Sequence, residues 1–564
     1  MFFSSMKASS TRRRHAKRRM TAEPLENRRV LAAFPVTSLA DNAPETPAVE
    51  GTLRWAIEQA AATEGKDTIT FAPTVSGQID LQSQLEILGD NDVDILGPGS
   101  QRITISGGGA HRVLYVNAAE VTLAGVTVAD GYAVDAPDAP VPVDTRLVVE
   151  NFSVGGGLFN NGGDVTINRV VFENNQTGGV VSAENPFGLN NIGLGGAIAN
   201  MFGADLTVRD SRFFDNTAIG LGIAASGAID VDANSTTDIS RSQFIGNQAV
   251  AVLGLGDDPT TFQGAAVGGA LKASGASEMT VNTSLFRNNA VVAGNGFEGL
   301  GPTGGFGAGG GAIGSQALSL FVGVLGTPTM TDIHRSVIVD NQAIGGSGLD
   351  GFAGGAAVGG GLVNWGLSEM TITSTRISGN QAIGGDGGVG ADGGYAAGGG
   401  IDNAFSSFGT PVLHVQSTLI TGNTVVGGNG GVGGNGGEAR GGAISNDIDG
   451  LVVKLEPLEI ATGQIITSRA WIRSNSVTGG SGVTGGDALG GGIYNRANMD
   501  LRLTFTFGND ATGGVGTTTA GIGQGGGIFN APLPLSIVNV DFLSRLLIRG
   551  NEASTDDDES FGLF

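Results

Sequence analysis

The 564-residue chain contains no cysteine, which excludes disulfide staples and thiolate metal sites. Aromatic residues are scarce at 6%, most of them Phe, and only 4 histidines occur, at His15, His111, His334 and His414. No His-x-His or His-Glu-x-x-His spacing is present, so nothing points to a transition-metal centre. No run of 18 or more apolar residues exists, and the sequence therefore offers no transmembrane helix. A nucleophile elbow and a phosphate-binding glycine loop opening onto a helix are also missing. Basic residues are few: 30 Lys and Arg stand against 53 Asp and Glu, for a net charge of −23. Nine of the bases lie within residues 1–33, which leaves the remainder at −30 and argues against a nucleic-acid partner.

Glycine is what abounds, 100 residues of 564, but with no strict Gly-x-y period over the chain, so a collagen triple helix is out. The glycines punctuate a repeat. An apolar-x-x-Asn step recurs at Asn175, Asn216, Asn247, Asn289, Asn341, Asn380, Asn423, Asn475, Asn509 and Asn551. The apolar slot holds Phe172, Phe213, Phe244 and Phe286, then Ile in five steps; ahead of Asn509 it holds Thr506, the weakest match. Upstream sit glycine turns such as Gly195-Gly196-Ala197-Ile198 and Gly441-Gly442-Ala443-Ile444. A period of roughly 30–50 residues means that stacked coils, not a closed globule, organise the chain.

Alignment on the Asn exposes further columns. Apolar pairs (Val165/Ile167, Leu206/Val208, Met279/Val281, Met370/Ile372, Leu413/Val415) alternate as in a strand with one face inward. A hydroxyl column follows at Ser211, Ser242, Ser284, Ser336, Thr375 and Thr418, and each glycine turn leads into an apolar-x-Asn strand such as Ile401-Asp402-Asn403. Three short strands and three turns per repeat predict an all-β fold: a single-stranded right-handed parallel β-helix of about ten or more coils, roughly 50–70 Å long. Stacking puts Asn above Asn, so the amides are expected to form a ladder, and Asn tolerates the left-handed backbone of a sharp turn. The variable glycine-rich segments 384–400 and 427–442 read as flexible loops on one side of the rod. Leu53, Ala56, Ile57, Ala60 and Ala61 form one helical stripe, expected to cap the first coil against edge-to-edge association. The expected organisation is a basic targeting segment 1–33, a lead-in and capping helix 34–66, the β-helix 67–551 and an acidic tail 552–564.

The pairing of Gly-Gly-Ala-(Ile/Leu/Val) with Phe-x-x-Asn resembles the repeat of chlamydial polymorphic outer-membrane proteins. Gly51-Thr52-Leu53-Arg54-Trp55-Ala56-Ile57 and the strands after it resemble the Leu-Arg-x-Ala-Ile cap of bacterial right-handed β-helix surface proteins. The stretch Glu23-Pro24-Leu25-Glu26-Asn27-Arg28-Arg29-Val30-Leu31 resembles the Leu-Glu-Pro-Arg-x-Leu-Leu sorting motif of large planctomycete surface proteins, with Asn27 where that family has Pro. These resemblances imply export and a place at the cell surface, outer membrane or beyond. The chlamydial proteins end in a membrane β-barrel; the residues after Asn551 are too few for one, so barrel anchoring is not expected.

Some right-handed β-helices are polysaccharide lyases and hydrolases, which need carboxylates converging on one strand face. The outward column between the apolar pairs reads Thr166, Thr207, Asp238, Thr280, Asp332, Thr371, His414. Asp238 and Asp332 lie two coils apart, ~9.6 Å, within the range of an inverting acid/base pair. The column after the glycine turn, also read as outward, is Phe159, Ala199, Val363, Asp402, Ser445, Tyr494, Phe529, which is not a carboxylate row. Asp90, Asp92 and Asp94 alternate in a way from which a Ca²⁺ site could be built, and 387–392 matches the start of a Ca²⁺-binding nonapeptide but stands alone. No catalytic, cofactor or metal residue is assigned, and the Asn column is read as structure. The sequence thus favours an exported, non-enzymatic adhesin or rigid scaffold that meets surface polysaccharide or protein through its glycine-rich loops. A pectate-lyase-like carbohydrate-active enzyme and a surface-layer component remain the alternatives.

Overall fold

The computed structural model describes residues 32–42, 46–133, 151–178, 191–220, 222–254, 265–296, 307–319, 323–324, 326–405, 409–448, 464–531 and 537–563. The basic segment 1–31, with its sorting-motif resemblance, lies outside the described residues. One coil runs through Ile198–Met201, Asp205–Arg209, Arg212–Phe214, Thr217–Gly220 and Ile223–Ala225. Each of these strands pairs in parallel with its counterpart one coil on. The successive positions thereby build a first to a fifth sheet of 13, 14, 13, 11 and 10 strands among the described residues. This is the right-handed parallel β-helix that the repeat predicts, about 60 Å long at the ~4.8 Å strand spacing.

The first three sheets enclose the main core. In Asp205–Arg209, Leu206 and Val208 point inward while Asp205 and Arg209 are exposed. Phe172, Phe213, Phe244 and Phe286 stack ring on ring at 5.0, 4.7 and 4.7 Å, all fully buried. Left-handed residues bend each coil between sheets, two of them at the corners of the third sheet. One precedes the hydroxyl column (Asp210 φ 52°, Arg241 49°), the other precedes the ladder Asn (Asn174 55°, Asp215 52°, Asp340 57°). The left-handed residue is thus the one before the ladder Asn, not the Asn itself. The bend turns the Asn side chain inward, where it can reach both neighbouring coils.

Asn216 shows what the step accomplishes. Its Oδ1 accepts from the Asn175 backbone N–H (3.0 Å) and Nδ2 (2.9 Å), while its Nδ2 donates to the Phe172 carbonyl (3.1 Å) and to Asn247 Oδ1 (2.9 Å). The same bonds repeat through Asn247, Asn289, Asn341, Asn380, Asn423, Asn475 and Asn509 to Asn551. Each Asn therefore satisfies the carbonyl of the apolar-slot residue one coil earlier, which fixes the three-residue spacing. Beyond Asn551 the next acceptor is Glu559, whose carboxylate receives the Asn551 Nδ2 (2.9 Å). The hydroxyl column closes the other corner: Ser211 Oγ accepts from Val170 N–H, Ser242 Oγ from Ser211 N–H and Ser284 Oγ from Ser242 N–H, each at 3.2 Å. A second amide ladder links Asn364, Asn403, Asn446, Asn495 and Asn530.

The coil has five strands where three were expected. The fourth and fifth sheets pack face to face mostly through alanine: Ala249, Ala343 and Ala382 meet Ala224, Ala266, Ala308 and Ala357, with Val291, Val425 and Val477 in the same fourth-sheet column. Alanine and glycine in strands of two to four residues do not stand out as hydrophobic alternation, so these strands escape the sequence pattern.

The ends also differ from expectation. Ala33–Val36, which spans the expected boundary between the basic segment 1–33 and the lead-in, is the first strand of the second sheet. The helix Leu53–Ala61 buries Leu53, Ala56, Ile57 and Ala60 over the end of the main core, but leaves Ala61 exposed. Arg54 ties it down through Asp41 at 2.8 and 2.7 Å. After Asn551 the stack continues: Glu552–Ala553 and Ser560–Phe561 pair with the coil below, so 552–564 is not a free tail.

Candidate interaction surface

Beyond the fourth sheet the chain runs outward, turns, and returns to the fifth. The segments read as flexible loops are here hydrogen-bonded layer upon layer. Residues 384–395 and 427–438 consist of Gly-Gly-x triplets with one Ala, and the bonding follows the triplet. Gly384, Gly387 and Gly390 donate to Val426, Asn429 and Val432 of the next coil (2.9, 2.8 and 2.8 Å). Gly385 and Gly388 donate instead to Gly355 and Phe352, on the returning leg of the previous coil (2.9 and 3.0 Å), and Asp386 and Val389 point into solvent. A direction that repeats every third residue is that of an extended threefold helix. The legs interlock in a zigzag: Gly385 N–H donates to Gly355 O, Gly394 to Gly385, Gly428 to Gly394, Gly437 to Gly428 and Gly480 to Gly437, at 2.7–2.9 Å.

Side-chain size thus falls with distance from the axis. Phe and Ile fill the triangular core, mostly Ala the space between the fourth and fifth sheets, and in the outermost flange the legs lie so close that glycine predominates, with Ala391 the exception in these two segments. The third residues of the triplets become the flange's surface. On one face Asp386 Oδ1 receives Asn429 N–H and Nδ2 (2.9 and 3.0 Å), and Asn429 Oδ1 receives Ser481 N–H (3.2 Å). On the other, Asp392 Oδ1 receives Asn435 N–H (2.7 Å) and Asn435 Oδ1 receives Thr484 N–H (3.1 Å). At the tip Val389 stands over Val432, exposed by 54% and 83%, and Val515, exposed by 72%, extends the face of Asp386, Asn429 and Ser481.

The second sheet carries the outward column in the expected register: Thr166, Thr207, Asp238, Thr280, Asp332, Thr371 and His414 lie one above another. Asp238 and Asp332 therefore flank Thr280, and their outer neighbours in the column are Thr207 and Thr371, not carboxylates. His414 lies 3.8 Å from Glu369, while His334 belongs to a different column, between Asn282 and Thr373. Asp90, Asp92 and Asp94 do not converge: Asp94 pairs with Lys66 (3.0 Å) and Asp92 accepts the Glu120 N–H (2.9 Å). Among the described residues no three His, Asp or Glu side chains are grouped to hold a metal ion. No described helix is long and apolar enough to cross a membrane.

The column after the glycine turn is not outward, because the fifth sheet folds back over it. Phe159, Ala199, Val363, Asp402, Ser445 and Tyr494 are all buried. Near its start the corner is apolar, with Tyr115 stacked on Phe159 (5.4 Å) among Phe152, Ile192, Leu194 and Met201. Farther along it becomes charged. Arg440 lies over the rings of Tyr494 (4.8 Å) and Tyr395 (5.2 Å), grips Glu438 at 2.7 and 3.0 Å and bonds Asp447, while Trp365 Nε1 reaches Asp402 (3.3 Å). Burial, then the Asp447 carboxylate, push the Tyr494 phenol up and keep it neutral. Burial opposes the Arg440 charge, and the Glu438 and Asp447 carboxylates hold it cationic all the same. The sequence alignment also passed over Asp230 and Lys272, which occupy this same column; Val231 and Ala273 stand in the Asn slot there, although the turns at 226–228 and 268–270 were signal enough.

No family model matches the chain, and no curated protein matches it. Among solved structures, the chain is similar to PfbA, a surface adhesin of Streptococcus pneumoniae, at 12% identity, covering 86% of this chain and 88% of that one with a TM-score of 0.32. It is also similar to the periplasmic alginate epimerase AlgG at 9% identity, over 83% and 77% with a TM-score of 0.28. A third likeness is the A-module of the Azotobacter vinelandii mannuronan C-5 epimerase AlgE6, at 13% identity, over 86% and 95% with a TM-score of 0.21. Likenesses this distant carry no ligand or activity across to this chain.

Proposed function

We propose that the protein is an exported, non-enzymatic β-helix scaffold that binds an extended polymer, a surface polysaccharide first of all, through its glycine flange. The observation that carries this reading is the exposure of Val389 and Val432 at the tip of a backbone-paired flange, and of Val515 at the end of one of its faces, beside columns of Asp, Asn, Ser and Thr. Those columns repeat once per coil, at ~4.8 Å, so they offer a ladder of equal polar contacts to a repeating chain. Apolar groups in water beside regularly placed donors and acceptors suit a ligand that is itself amphipathic. The basic N-terminal segment and its sorting-motif resemblance support export, and the acidic body supports solubility.

The test is retention of the full chain on insoluble cell-wall and capsular polysaccharides, compared with the triple variant Val389→Ser, Val432→Ser, Val515→Ser. At least a tenfold loss of affinity is expected, about 1.4 kcal/mol. Equal retention of both proteins removes the flange from the account.

One observation favours an enzyme instead: Trp365, Tyr395, Asp402, Arg440, Asp447 and Tyr494 gather at one corner. That reading expects new reducing ends or unsaturated products from a polysaccharide, lost in Asp402→Asn. Absence of product from any polysaccharide that the protein retains would set it aside.

A further inference from the structure

Asp230 and Lys272 are register partners on adjacent coils of the first sheet, on the face covered by the fifth. The Lys272 ammonium lies 3.0 Å from Asp230 Oδ1 and 3.8 Å from Asp232 Oδ2, with side chains only 3%, 0% and 1% exposed. Ser226 Oγ donates to the same Asp230 Oδ1 (2.9 Å). Asp230 Oδ2 and Asp232 Oδ2 are buried and accept no hydrogen bond among the described residues. The column neighbours of the pair are Ala199 and Gly314, so no other charge enters from above or below.

A buried ion pair with two unsatisfied carboxylate oxygens is an expensive way to join two coils. The arrangement is better suited to a reaction. We propose that Lys272 and Asp230 condense to an intramolecular amide, with Asp232 as the proton carrier and Ser226 as the donor that polarises the reacting carboxyl. This cross-link lies outside the surface function proposed above.

With all three groups ionised the sealed site would hold one excess negative charge. Burial raises the Asp230 carboxyl, the nearby Asp232 carboxylate raises it further and Lys272 opposes them; the net shift is upward, toward the neutral acid an amine can attack. The two carboxylates hold the Lys272 proton against the effect of burial, so the amine needs a base, and Asp232 is the one in reach. Asp232 takes a proton from Nζ, and the freed lone pair attacks Asp230 Cγ to form the C–N bond. Negative charge develops on Oδ1, where the Ser226 hydroxyl already donates. Asp232 relays a nitrogen proton to Oδ2, the C–Oδ2 bond breaks, and water leaves. Of the four protons on the ammonium and the Asp230 acid, one stays on the amide, two leave in water and one remains on Asp232; nothing is oxidised or reduced. The product ties two coils across 42 residues, a covalent staple in a chain with no cysteine.

The experiment is the intact mass of the folded full chain, measured after denaturation. The expected mass is one water below that of the sequence, and trypsin should release residues 213–241 joined to 242–287, uncut at Lys272. Lys272→Arg should restore the sequence mass. Asp232→Asn, which keeps nucleophile and electrophile, should lower the cross-linked fraction at least tenfold in protein with unchanged β-sheet circular dichroism. Folded wild-type protein of full sequence mass that trypsin cleaves at Lys272 overturns the proposal. Complete cross-linking in Asp232→Asn overturns the role given to that carboxylate.

Discussion

Gly428→Ala is expected to open the glycine flange over several coils. Gly428 donates to Gly394 O and accepts from Gly437 N–H, both at 2.8 Å, on the zigzag that holds outward and returning legs together. A Cβ there would sit well inside van der Waals contact of the Gly385 carbonyl oxygen. The obstacle is backbone, which cannot swing aside as a side chain can, so the layers must part and leave amides without partners. At roughly 1–3 kcal/mol for each orphaned group, the cost is on the order of 4 kcal/mol. Because each coil meets only its neighbours, the damage should be local. Hydrogen exchange should show lost protection at the Gly385, Gly394, Gly437 and Gly480 amides, with the coils carrying Phe172 and Phe213 unchanged. Val432→Ala, four residues on in the same segment but exposed, should change stability by no more than about 0.5 kcal/mol. Equal protection in Gly428→Ala and wild type would mean that the flange has slack the close packing denies.

Asn380→Ala should be comparably costly in the main coil. Asn380 Oδ1 accepts from Asn341 N–H (3.0 Å) and Asn341 Nδ2 (2.8 Å), while its Nδ2 serves the Ile338 carbonyl (3.1 Å) and Asn423 Oδ1 (2.9 Å). Alanine strands the Asn341 N–H and the Ile338 carbonyl where water does not reach, and the sum is again on the order of 4 kcal/mol. Thr371→Ala, on the outward column of the neighbouring second-sheet strand, should cost about 0.5 kcal/mol or less. Denaturant unfolding of the two variants should differ accordingly; equal midpoints would contradict an amide ladder that bears on stability.

The ladder was legible because stacking forces it: a residue buried in one coil lies over its counterpart in the next, so a requirement met once is met again at a fixed step. Asn380 and its fellows satisfy the carbonyl of the apolar-slot residue one coil before, and that local geometry fixes the spacing. The fourth and fifth sheets were not legible, since Ala343 and Ala357 carry too little hydrophobic signal to mark strands. The Gly-Gly-x triplets of 384–395 and 427–438 were visible, but a glycine run reads as slack until its partner layer is in view. Asp230 and Lys272 escaped because alignment followed the Asn slot, and neither coil has an Asn there.

The sequence by itself determined the stacking of coils, their period and the register of their ladders, because these depend on like residues meeting like along one axis. Only the tertiary structure decided what the outer face of the first sheet meets. That depends on where the fifth sheet folds back, which is set by packing between whole sheets and carried by no single repeat. Its fold-back is what covers Phe159, Asp230 with Lys272, and the Arg440–Tyr494 pair at that corner.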